Sequence, residues 1–115
     1  MSAATTNLII DQGATWEITF TYKDSEGSPI NLTGYTAALQ LRTSYDAASA
    51  SLSLSSPSSG IVLGGSLGTI AVTASASQTG ALAAGEYVYD LEITLSGKVT
   101  RLVQGRITVT PQVTR

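Results

Sequence analysis

The 115-residue chain contains no cysteine and no histidine. That excludes a disulfide framework, a thiolate nucleophile, a zinc finger, a haem ligand and an imidazole base. Charge is scarce too: 12% of residues are Asp, Glu, Lys or Arg, about half the usual quarter. Six basic residues against eight acidic ones leave a net charge of −2. The electrostatic footprint of a nucleic-acid binder is missing. No apolar run approaches the ~20 residues of a membrane-spanning helix. Residues 1–7 lack the basic start and apolar stretch of a signal peptide. What is present is a 43% apolar chain of single-domain length, enough to bury one core. A small soluble domain made inside the cell is expected, built for contact rather than turnover.

The clearest pattern is strict alternation. Trp16, Ile18, Phe20 and Tyr22 interleave with Thr15, Glu17, Thr19 and Thr21, which predicts a strand with one buried face. Tyr35, Ala37, Leu39 and Leu41 repeat the pattern, as do Tyr87, Tyr89, Leu91, Ile93 and Leu95. A short strand is expected at Leu8 to Ile10. Asp24 to Pro29 carries turn chemistry. Ile61 to Val72 reads as a hairpin around Gly64-Gly65. Ser75 and Gln78 fit a capping box, predicting about two helical turns near residues 76–84 with Gly85 as the stop. Residues 1–6 read as a flexible arm and 7–115 as the domain. The Ser/Ala-rich stretch 44–60 reads as dispensable to the core, with Leu52-Ser53-Leu54 either a short strand or a loop.

Two registers compete in the last hairpin. A two-residue turn sets Glu92 opposite Arg101, a favourable cross-strand pair. A three-residue turn sets Leu95 opposite Val99 and Leu91 opposite Val103. The apolar match is preferred, with a bulge at Gly105. The sum is an all-β, immunoglobulin-like antiparallel sandwich of six to eight strands with one short helical turn. Its expected core includes Trp16, Ile18, Phe20, Tyr35, Leu39, Tyr87, Leu91 and Ile93.

Few side chains suggest chemistry. Asp90 and Glu92 share a strand face, but no clustered oxygens accompany them as calcium would need, so a polar outer face paired with arginines is expected. Asp24-Ser25-Glu26-Gly27 lacks the remaining ligands of a calcium loop. The serines have no activating base, and the glycines at 60, 64, 65 and 68 suit hairpins rather than phosphate. Trp16, Tyr35 and Tyr87 are assigned to the core rather than to a sugar-stacking platform, and Tyr45 is expected to be exposed. Leu82-x-x-Gly85-x-Tyr87 has the spacing of a tyrosine corner. No catalytic residue, cofactor or metal is expected.

Several motifs together carry a resemblance. They are Gln12-Gly13 before an alternating strand, Asp24-x-x-Gly27-x-Pro29-x-x-Leu32-Thr33-Gly34-Tyr35, and Gln40-Leu41-Arg42. Later come Gly85-x-Tyr87-x-Tyr89-Asp90-Leu91, Gly97-x-Val99-x-Arg101-Leu102-x-x-Gly105 and the closing Thr108-Val109-Thr110-Pro111. From about residue 8 to the end, the chain resembles the small immunoglobulin-like structural proteins of tailed bacteriophages. It is also similar to the N-terminal domain of phage upper-baseplate proteins. The resemblance implies a virion component packed in symmetric multi-copy arrays against other phage structural proteins and copies of itself. In those baseplate proteins a longer chain follows; here the sequence ends at Arg115, so a stand-alone adaptor or decoration subunit is expected. The favoured role is assembly or attachment in the tail, baseplate or fibre region. Head decoration is the first alternative. A carbohydrate- or host-surface-binding module is the second and requires Trp16 and two tyrosines exposed on one surface. With few charges to guard its edges, the sandwich is expected to bury one edge strand between copies.

Overall fold

The computed structural model describes residues 4–56 and 59–114. Among them are nine strands: β1 (Ala4–Thr5), β2 (Leu8–Asp11), β3 (Trp16–Thr21), β4 (Thr36–Arg42), β5 (Leu52–Ser55), β6 (Ile61–Leu63), β7 (Thr69–Ala74), β8 (Gly85–Leu95) and β9 (Lys98–Thr110). One α-helix, α1 (Ala76–Gly80), precedes β8, and a 3-10 turn at Gly65–Leu67 joins β6 to β7. The larger sheet runs β1-β9-β8-β4-β5, with β2 also on β9; the smaller runs β3-β7-β6. The alternation identified in the sequence turns one face of each sheet inward, and the two faces pack as a sandwich. Strands β9-β8-β4 against β3-β7-β6 follow the immunoglobulin-like arrangement, except that the N-terminal strands lie on β9 and not beside β3.

The core forms where the alternating rows meet. Leu39, Leu41, Leu54, Ile61, Ile70, Leu91 and Ile107 are fully enclosed. Of the expected core residues, Trp16, Leu39, Tyr87, Leu91 and Ile93 are buried. Ile18, Phe20 and Tyr35 are half-buried and pack against the core from its margin. For Ile18 and Phe20 the reason is position: β3 is the outermost strand of its sheet.

The tyrosine corner is present. Tyr87 Oη donates to the Ala83 carbonyl at 2.6 Å, four residues back, from a buried ring. Tyr87→Phe removes that bond and is expected to cost about 0.5–1.5 kcal/mol, read as a lower urea midpoint with an unchanged m value.

Several expectations need correction. The antiparallel pattern breaks at the N-terminus, where β1 and β2 run parallel to β9. Within the expected arm, therefore, Ala4 and Thr5 are strand, and Thr6 donates its N–H to Gln104 O at 2.9 Å; residues 1–3 lie outside the described residues. The Ser/Ala stretch is not dispensable, because Leu52 and Leu54 of β5 point inward and are buried. Its Pro57 and Ser58 also lie outside the described residues. The capping box forms as expected, with Ser75 Oγ accepting from Gln78 N and Gln78 Oε1 from Ser75 N. The helix, however, is only five residues long, and Gly85 opens β8 instead of stopping it. Thr79 anchors the helix. Buried at 0% exposure, its hydroxyl accepts from Gly13 N at 3.1 Å and donates to Ala14 O at 2.8 Å. The helix is thereby tied to the turn before β3.

Both competing registers of the last hairpin occur, in different parts of it. Ser96 (φ 50°) and Gly97 (φ 81°) form a two-residue turn with Leu95 opposite Lys98 and Glu92 opposite Arg101. Positive φ at both positions is the type I′ geometry that matches strand twist. The ladder then shifts by one between Leu91 and Glu92, so that Leu91 does face Val103. The bulge is at Leu102, not at Gly105, and the preferred pairing of Leu95 with Val99 does not occur. Past the bulge the inward parity of β9 changes, which turns Val99 and Arg101 outward while Val103, Ile107 and Val109 face the core.

Candidate interaction surfaces

Three parts of the surface stand out. The first is the outer face of β4, β8 and β9. A depression there is lined by Gln40, Arg42, Asp90, Glu92, Arg101 and Gln104, with Tyr45 at its rim. These side chains are outward for the same reason that the core residues are inward: they hold the alternate positions of long strands. Most are spent on one another. Arg42 donates to Ala47 O and Gln40 Oε1, both at 2.9 Å. Arg101 Nε lies 3.3 Å from Asp90 Oδ2, and its Nη1 donates to Gln104 Oε1 at 3.4 Å. The expected Glu92–Arg101 ion pair does not form. The two are opposite in the ladder, but the bulge beside them and the sheet twist direct the guanidinium to the diagonal neighbour Asp90. Tyr45 is exposed, as expected.

The second is a mainly apolar cleft of about 470 Å³ where the margins of the two sheets separate, with Lys23 and Arg101 also in its lining. Phe20, Tyr22 and Ile70 line one side; Ala4, Leu102 and Val103 line the other. The third is the hairpin end. Leu32 N donates to Gly65 O at 2.9 Å, drawing the turn after β6 onto the 31–35 link. Exposed Leu67 and the partly exposed tip residue Leu95 extend from that region.

Among the described residues no three acids converge as metal ligands. Asp24 Oδ1 is occupied by the N–H groups of Glu26 and Ser28, and closes the turn. Trp16 is buried, so the exposed row of Trp16 and tyrosines that a sugar platform requires does not form. No helix among the described residues is long and apolar enough to cross a membrane.

Tyr89 donates its hydroxyl to Thr6 O at 2.7 Å, anchoring the N-terminal segment, and burial pushes its pKa from 10.0 up to about 12. The folded state therefore holds this proton more tightly than the unfolded chain. Its contribution is complete below about pH 10 and is lost as pH rises from about 10 to about 12. Urea midpoints across that window are expected to fall more steeply for wild type than for Tyr89→Phe. The sequence offered no means of distinguishing Tyr89 from Tyr87 in this respect, because the partner lies 83 residues away.

Comparison with protein-family models finds none that matches this chain, and comparison with curated proteins finds no relative that matches it.

Proposed function

We propose that the protein is a non-enzymatic structural subunit of a tailed-bacteriophage particle, an assembly or adaptor component of the tail, baseplate or fibre-attachment region. The observation that carries this reading is a strand edge, β3, uncovered among the described residues and next to a mainly apolar cleft, in a sandwich whose concentrated polar face is largely self-paired. Such a surface suits recognition by covering, since little charge has to be desolvated when a neighbour docks. The turn and strand motifs that resemble phage structural proteins support this choice of particle. The immunoglobulin-like strand order is the scaffold the resemblance implies. Partners are other structural proteins and further copies of the chain, and the site of action is the virion.

Mass spectrometry of purified particles, separated into heads and tails, tests the assignment. Recovery in the tail fraction at stoichiometric copy number is expected. Recovery in heads alone would convert the assignment to capsid decoration, and absence from both fractions would overturn it.

A further inference from the structure

The smaller sheet ends at β3, which pairs with β7 on one side and with no other strand among the described residues. Its free side can be assigned residue by residue. Tyr22 donates its N–H to Gly68 O and accepts from Ile30 N, so its backbone groups point toward β7. Strand alternation then turns the backbone N–H and C=O of Glu17, Thr19, Thr21 and Lys23 to the open side. The six-residue β3–β7 ladder has no bulge, and β3 has no proline. The usual devices that blunt an exposed edge are therefore missing, apart from one charge near each end.

Those two charges are complementary under a two-fold axis. An antiparallel pairing of β3 with β3 of a second copy, centred on Phe20, sets Thr19 opposite the partner subunit's Thr21. In the same register Glu17 meets the partner subunit's Lys23, twice by symmetry. Both pairs fall at positions whose backbone groups face outward, as hydrogen-bonded antiparallel pairs require. Neither Glu17 nor Lys23 has an ion-pair partner among the described residues. Half-buried Phe20 and Tyr22, which line the open cleft, would be covered in the same step.

We infer that two copies of this chain associate edge to edge through β3, in the register that pairs Glu17 with the partner subunit's Lys23, giving one continuous six-stranded sheet. The inference rests on the assembly role proposed above and names its first contact. A surface matched to itself in this way is what an isologous dimer uses.

Sedimentation or light scattering of the purified chain, over micromolar to millimolar concentration, reads the state directly. A species of twice the 11.8 kDa monomer mass is expected. Thr19→Pro removes a donor that faces only the partner, so a folded monomer by circular dichroism is expected. Glu17→Lys and Lys23→Glu place like charges opposite each other, and each alone is expected to weaken the dimer about tenfold. The double exchange restores opposite charges and is expected to restore the dimer. A wild-type chain that remains monomeric, or a dimer indifferent to all of these variants, overturns the inference, as does a β3 edge taken instead by a strand of another virion protein. Presence in tails of a chain that is monomeric in solution would leave the assembly role standing and remove only the β3 pairing.

Discussion

Leu91→Ala is expected to destabilise the fold by about 3–5 kcal/mol, the upper part of the range for buried leucine truncation. Leu91 is 0% exposed and lies on β8, with Leu39 of β4 opposite on one side and Val103 of β9 on the other. A central strand hydrogen-bonded on both sides has little freedom to collapse into a void, so most of the cavity would persist. Leu95→Ala is the matched control. It shares the strand and the inward parity but sits 38% exposed at the tip, so a loss of about 1 kcal/mol or less is expected. Urea unfolding of the two variants checks the contrast. Similar losses would mean that β8 does not hold the centre of the sandwich. A domain of this size has only about 5–15 kcal/mol of stability, so Leu91→Ala would remove a large part of it.

Gly68→Ala is the second large effect. Gly68 has φ +67°, and a Cβ there would lie 2.7 Å from Tyr22 O, 3.0 Å from Ile30 O and 3.1 Å from Ile30 N. All three neighbours are backbone, so no side chain can rotate away. The left-handed conformation costs a non-glycine residue roughly 1–2 kcal/mol. Forcing atoms into a filled space typically adds roughly 1–3 kcal/mol, which makes a loss of about 2–5 kcal/mol the expected result. Gly27→Ala separates the two terms. Gly27 has a similar φ of +85° but nothing within 4 Å of the added carbon, so only the conformational cost of about 1–2 kcal/mol is expected. Equal losses at the two sites in thermal or urea unfolding would show that the close approach at Gly68 is unimportant. The approach is where the hairpin from Lys23 to Pro29 meets the start of β7, just beyond the end of β3.

Much of the fold is legible in local rules. The rows Trp16–Tyr22, Tyr35–Leu41 and Tyr87–Leu95 became β3, β4 and β8, because a half-buried strand needs every second side chain apolar. The capping box and the tyrosine corner also read correctly, since each bond spans only three or four residues. Longer connections were not legible. The N-terminal residues looked like a loose arm because Ala4, Thr5 and Thr6 are small and polar. Their order comes from a parallel ladder with β9 and from the Tyr89 hydroxyl, both about a hundred residues or less away along the chain. Gly105 resembled a bulge for a related reason. In the structure it is where the chain at Thr6 crosses closest, and a side chain would strike the Thr6 carbonyl.

The candidate surfaces divide in the same way. That Glu17, Thr19 and Thr21 would face outward followed from alternation alone. That β3 would be an edge, with its backbone open beside an apolar cleft, did not; it required knowing that β1 and β2 join β9 and leave β3 uncovered. Arg101 illustrates the same limit, since its acidic partner was settled by a bulge and a twist.

The amino-acid order by itself determined the strands β3, β4 and β8, their inward faces, the helix cap and the tyrosine corner, because each of these depends on residue type and on spacing within a few positions. Only the tertiary structure decided the mixed sheet, the shifted hairpin register, the enclosure of Leu52 and Leu54, and which edge stays open. Those outcomes are set by competition among distant segments for the same hydrogen bonds and the same buried volume, and that competition is resolved only when the two sheets close on each other.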